Sequence, residues 1–131
     1  MILSHATITI DNLRLRTFIG FNGEEKTKQQ DIVVNVELHY PAQKATQSDK
    51  IDDALNYKVI TKRIIQLVEN GRFLLLEKLV KDVLEVCVSD NAISFAKVRI
   101  DKPHALRFAD SVSLTMHTSK ISEPLENYAH A

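Results

Sequence analysis

Three nitrogen side chains crowd one short stretch, residues 102–107. In RIDKPHALRFADSV, residues 99–112, Lys102 ends a strand-like run and meets a turn at Pro103, with His104 and Arg107 close behind. A lysine held by rigid scaffold can act as acid or base when burial or a nearby cation depresses its pKa. The bland alternative is a solvated loop. Glu77, in LLLEKLVKDV, sits off the apolar stripe of a helix and near its start. There a carboxylate can accept two parallel N–H bonds from an amidine-like edge. The plainer alternative is a weak surface pair with Lys81 at i,i+4. Glu24 and Glu25 lie in a glycine-bearing loop; paired carboxylates can do acid–base work, but adjacent loop residues seldom converge on one atom. Tyr57 lies near the start of another helix, where a tyrosine ordinarily packs with its hydroxyl in water.

Other chemistries lack their residues. His5, His39, His104, His117 and His130 show no HxH or HExxH spacing, and Cys87 has no CxxC partner, so no metal site is expected. Glycine-rich phosphate loops and GxSxG elbows are absent. Arg14, Arg16, Lys62, Arg63, Arg72 and Arg107 could gather around a phosphate chain, but the sequence alone does not gather them. Lys+Arg and Asp+Glu both number 17, which argues against a nucleic-acid partner. A single cysteine allows no internal disulfide, and Cys87 in an apolar helical run reads as an inert thiol. Met1-Ile2-Leu3 gives way at once to Ser4 and His5, unlike a signal peptide, and no apolar run approaches membrane-spanning length. A soluble cytoplasmic protein without a membrane partner is expected.

The elements that must position these residues follow from periodicity. Ala6, Ile8 and Ile10 alternate with Thr7 and Thr9; after Asp11-Asn12 the alternation resumes one residue out of phase at Leu13, Leu15, Thr17 and Ile19, which a bulged strand explains. Ile32, Val34, Val36, Leu38 and Tyr40 mark a second, half-buried strand over 31–40, joined to the first by a polar hairpin loop over 20–30. Residues 42–52 read as a polar connection. Leu55, Val59, Ile60, Ile64, Leu67 and Val68 recur at helical spacing, capped by Asp52 or Asp53 and stopped at Asn70-Gly71. A second helix covers about 74–88, and strands cover about 94–101 and 110–118. The order β-β-α-α-β-β predicts an α+β domain over 1–118, an antiparallel four-stranded sheet with two helices on one face, and a flexible tail over 119–131. Two open sheet edges predict a homo-oligomer that closes them.

The stretches LRLRTFIGFNGEE, DALNYKVITKRI, FLLLEKLVKDV and VRIDKPHALRFADSVS occur in the order and at the spacing of the dihydroneopterin aldolase family, which this chain resembles over residues 6–117. RLRTFIG, ALNY, RFLLLEKL and DKPHALRFADSVS are most similar to the branch that inverts C2' of a dihydroneopterin triphosphate. The resemblance implies the tunnelling fold (T-fold), with subunits joined sheet to sheet into barrel-like tetramers that stack as octamers, and active sites at subunit interfaces. It implies a pterin substrate and chemistry without metal, organic cofactor or Schiff base. By motif position, Glu77 matches the glutamate that anchors the amino-pyrimidine edge, with the backbone at Leu76 and around Leu55 completing that anchor. Lys102 matches the catalytic lysine, Tyr57 a tyrosine contributed from a neighbouring subunit, and Glu25, five residues after Gly20, the loop glutamate near the substrate. Aldolases of the family continue after the lysine with a proline- and glycine-rich segment; here PHALRFADSV places His104 and Arg107 to meet a triphosphate. The activity so implied is epimerisation at C2' of 7,8-dihydroneopterin triphosphate by retro-aldol and aldol steps, serving tetrahydromonapterin formation. One alternative is an aldolase releasing glycolaldehyde and 6-hydroxymethyl-7,8-dihydropterin. Another is a non-catalytic, oligomeric pterin-binding module.

Overall fold

Apolar alternation in the first forty residues folds as two long antiparallel strands, β1 (Ala6–Ile19) and β2 (Gln30–Tyr40). The computed structural model of the chain describes residues 1–3 and 5–120. Ile10 pairs with Val36 and Leu13 with Val34, so β1 carries one extra residue between them. Asn12 takes up the bulge at φ 55°, its amide donating to Asn35 Oδ1 at 2.9 Å. The bulge keeps Leu13 and Leu15 on the same face as Ile8 and Ile10.

The helical stripes fold as α3 (Tyr57–Glu69) and α4 (Leu76–Val88) on one face of the sheet. Ile60, Ile64 and Val68 are the buried stripe of α3, and Leu79, Val80, Val83, Leu84 and Cys87 that of α4. They close over Ile32, Val34, Val36 and Leu38 of β2 and over Ala96, Val98 and Ile100 of β4 (Phe95–Lys102). Each fully buried aliphatic side chain of this kind contributes roughly 1.5–3 kcal/mol. Burial pushes the Cys87 thiol up to about 12, so it stays protonated and inert at neutral pH. β5 (Val112–Ser119) pairs antiparallel with β4 and forms one edge of the sheet.

Several connections are more ordered than periodicity indicated. The 20–30 loop contains a short helix, α1 (Gly23–Thr27), and the 42–52 connection holds α2 (Gln43–Ser48) and a 3-10 turn at Ile51–Asp53. Asn56, rather than Asp52 or Asp53, caps α3, its side chain accepting from the Val59 amide at 3.2 Å. Asp53 instead bonds Ser48 at 2.6 Å and pairs with Lys44. Between the helices, β3 (Arg72–Phe73) runs parallel to the end of β1 and adds a short fifth strand, giving the order β3-β1-β2-β4-β5. Residues 121–131 of the expected tail lie outside the described residues; Ser119 ends β5 and the Lys120 amide bonds the Ser94 carbonyl at 3.0 Å. Among the described residues no helix is long and apolar enough to cross a membrane.

This topology sorts the ends of the elements. α4 packs on β4 and enters it through the short link 89–94, so the start of α4 and the end of β4 lie at the same end of the sheet. Buried Thr17 ties that end together by donating to the Val68 carbonyl at 2.6 Å. The thirteen residues of α3 span about 18–20 Å at 1.5 Å per residue, so Tyr57 lies at the opposite end from the start of α4.

Candidate active site

Lys102 is the last residue of β4, and its Nζ donates to Glu25 Oε2 at 2.8 Å. Both side chains are mostly shielded, with 13% and 21% of their surface exposed. The sequence brings them together through α1. Asn22 caps that helix by accepting from the Glu25 amide at 2.8 Å, and Glu25 Oε1 accepts from the Asn22 amide in return. This capping box aims the other carboxylate oxygen at Lys102. Gln30, at the start of β2, donates to the same Oε2 at 3.4 Å and to the Ile19 carbonyl. The Lys102 hydrogen bond, above all, holds the Glu25 carboxyl below its ordinary range against the opposing effect of burial, with Asn22 and Gln30 adding to it. Glu25 is therefore a carboxylate at neutral pH.

Gly20 makes the arrangement possible. Its φ of +122° lies where side chains are strained, and a Cβ there would fall on the Glu25 carboxylate. Its amide donates to the Phe73 carbonyl at 2.9 Å, joining the end of β1 to β3. A cavity of about 320 Å³ lies against this corner, walled by Phe18, Gly20, Glu25, Arg72, Phe73 and Leu74. It leads from Glu25 toward the start of α4, where Leu74 and Leu75 are exposed.

Glu77 occupies the first turn of α4 and is exposed, with no ion pair or hydrogen bond among the described residues. Lys81 pairs with Glu85 instead, and Lys78 with Asp82 at 2.9 Å. No side chain caps α4, so the amides of its first turn, Leu76 included, are open donors. A carboxylate beside an open amide presents an acceptor and a donor along one edge.

The other candidates separate. Glu24 is exposed and pairs with Lys28 at 3.8 Å, away from Lys102. His104 borders a second cavity against Glu25, of about 270 Å³, and stands 3.9 Å from Asp31. Arg107 lies in the exposed turn after Lys102, its guanidinium 5.4 Å over the Phe108 ring. Tyr57 lines a third cavity with Ile8 and Ile10, and is 47% exposed. Leu55 is buried beside it, its carbonyl accepting from the Tyr57 amide at 3.1 Å. A single chain thus gathers Lys102, Glu25, Glu77 and Leu76 at one end and leaves Tyr57 and Leu55 at the other. Sequence reading missed Gln30 and Asn22. The signal for Asn22 was present, since Asn-x-x-Glu is a capping-box pattern; Gln30 carried none. Among the described residues no three His, Cys, Asp or Glu side chains gather to hold a metal.

Comparison with known proteins gives this geometry a context. The family model described as FolB, dihydroneopterin aldolase, matches residues 8–117. The chain is 60% identical over 111 residues to the dihydroneopterin triphosphate 2'-epimerase of Escherichia coli K12, covering 85% of this chain and 92% of that one. It is 48% identical to the dihydroneopterin triphosphate 2'-epimerase of Pseudomonas aeruginosa, over 85% of this chain and 90% of the relative. A crystal structure of E. coli dihydroneopterin aldolase in complex with neopterin superposes with a TM-score of 0.82 at 27% identity, over 87% of this chain and 99% of that one.

Proposed function

The chain belongs to the dihydroneopterin aldolase family, and from that premise we propose that it inverts C2' of 7,8-dihydroneopterin triphosphate, giving dihydromonapterin triphosphate. The observation that carries the site is the Lys102–Glu25 pair, whose Glu25 lines a cavity that reaches Leu74, just before the uncapped start of α4. The choice of epimerase over aldolase is supported by 60% identity to a relative named for that activity, against 27% to the aldolase structure.

In this reading Glu77 accepts the two N–H groups of the pterin's 2-amino-pyrimidine edge and the Leu76 amide donates to its 4-oxo group. The ring lies over Leu74 and Leu75, and the side chain reaches Lys102. A base at Lys102, directly or through a water, takes the C2' hydroxyl proton. That oxygen's electrons form the aldehyde as the C1'–C2' bond breaks. The bonding pair passes to C1'=C6, and the ring N5 of the former imine takes up a proton. The aldehyde turns, and the same enol carbon attacks its opposite face; N5 gives back its proton and Lys102 returns one to the new hydroxyl. The ring is the electron sink, so no lysine imine is needed. Glu25 fixes Lys102 beside the reacting hydroxyl, and Gln30 fixes Glu25.

Tyr57 manages protons at C1' from a neighbouring copy, because α3, about 18–20 Å long, holds it at the opposite end of its own chain from the start of α4. Leu55 arrives with it. Among the described residues, the outer edge of β1 before Phe18 and that of β5 have no strand partner, and pairing them between copies would close a barrel. An octamer of two such tetramers is the assembly proposed. His104 and Arg107 meet the first phosphates beyond C3'. The test is to supply the purified protein with dihydroneopterin triphosphate or dihydroneopterin, then oxidise, dephosphorylate and separate the products. Monapterin from the triphosphate supports the epimerase; mostly 6-hydroxymethylpterin in both would make it an aldolase; no turnover of either would leave a binding module.

A further inference from the structure

Helix α3 carries two lysines whose charge nothing among the described residues balances, and we propose that Lys58 and Lys62 receive the triphosphate in the site of the neighbouring copy. They gain this role only if the epimerase reading above holds. Lys58 and Lys62 are spaced i,i+4, and neither makes an ion pair or hydrogen bond among the described residues. The first turn of α3 holds no acidic residue. Like charges at this spacing work against a helix. The neighbouring helix α4 avoids that cost, pairing Lys78 with Asp82 and Lys81 with Glu85 at the same spacing. An unbalanced pair on one helix beside balanced pairs on the next points to an anion from outside.

The surroundings fit an anion that arrives with an organic body. Lys58 and Lys62 line a cavity of about 740 Å³ with Tyr57, Ile8, Ile10 and Ile65, and no acidic side chain borders it. Cations nearer Lys102 are committed elsewhere. Arg16 pairs with Asp31 at 3.4 Å, and Arg72 stacks 3.8 Å over Phe18 while donating to the Lys26 carbonyl. A triphosphate carries on the order of three to four negative charges, more than His104 and Arg107 can meet alone. Lys58 adjoins Tyr57, and Lys62 stands about 6 Å beyond Lys58 along the helix axis. If Tyr57 addresses C1' of a substrate held by another copy, the two lysines lie along the path its phosphates must take. Binding changes no bond here; the lysines position the charge and favour the phosphorylated substrate.

The experiment compares the wild-type protein with Lys58→Gln/Lys62→Gln and Lys58→Arg/Lys62→Arg double variants. For the glutamine variant, the ratio of KM for dihydroneopterin triphosphate to KM for dihydroneopterin should rise about tenfold or more, while the arginine variant keeps the wild-type ratio. Inorganic tripolyphosphate, as a probe, should inhibit the wild type and lose potency by a similar factor in the glutamine variant. Unchanged ratios and unchanged inhibition overturn the assignment, as does a wild type indifferent to tripolyphosphate. Calorimetric binding of tripolyphosphate needs no turnover. A wild type that binds it through these lysines yet fails to epimerise the triphosphate defeats the functional reading and leaves the anion site standing. Circular dichroism and sedimentation of each variant separate lost binding from lost folding.

Discussion

Replacing Gly20 with alanine tests whether the site geometry has been understood. The new Cβ would occupy the position of the Glu25 carboxylate, and the backbone would stay at φ +122°. A side chain in that conformation costs about 1–3 kcal/mol. The displaced carboxylate leaves Lys102 and Gln30, and orphaning partly buried polar groups costs about 1–3 kcal/mol more. The sum, on the order of 2–6 kcal/mol, is a large part of an ordinary domain's stability. Urea unfolding of Gly20→Ala should show that loss, and turnover should fall about a hundredfold or more as Lys102 loses its partner. The mechanism also predicts a coupling. In a Glu25→Ala background the clash disappears and only the backbone cost remains, so the same substitution should cost about 1–3 kcal/mol less. Wild-type stability in Gly20→Ala, or an equal cost in both backgrounds, would refute the reasoning.

The remaining predictions are simpler. Lys102→Ala should bind the pterin and stop turnover, while Glu77→Ala should abolish binding; fluorescence titration with product assays distinguishes them. Thr17→Val leaves the Val68 carbonyl without its 2.6 Å donor, so urea unfolding should report a loss of about 1–3 kcal/mol. Glu25 has a folded pKa below its ordinary value of 4.5, so its contribution to stability is present above that value and lost as pH falls through the depressed one. The stability difference between wild type and Glu25→Gln, measured across acid pH, should shrink below about pH 4.5.

The long elements were legible because their side chains are sorted by burial. Ile32, Val34, Val36 and Leu38 alternate, Ile60, Ile64 and Val68 recur at four-residue spacing, and the Asp11-Asn12 phase shift marks a real bulge. Short elements lacked any such pattern. β3 is two residues whose partners, Phe18 and Ile19, are over fifty positions away. α1 is held by a capping box rather than an apolar face, and none of its residues is buried. The Lys102–Glu25 contact spans 77 positions, and only the matched family motifs marked both residues in advance. Gln30 was invisible because a polar residue at a strand start resembles any loop end. The separation of Tyr57 from Lys102 was hidden from periodicity, since it depends on which way α3 points along the sheet, and only the family resemblance implied it.

The central claim is that the C1'–C2' bond breaks and re-forms at Lys102. Turnover of dihydroneopterin triphosphate in deuterated water, with mass spectrometry and NMR of the isolated monapterin, reads that claim directly. In a retro-aldol and aldol sequence the hydrogen on C2' stays on the aldehyde carbon throughout. Monapterin free of carbon-bound deuterium at C2' is therefore the predicted result. Deuterium at C2' would mean that the enzyme removes and replaces the C–H proton without breaking the chain, and the account of Lys102 would be wrong.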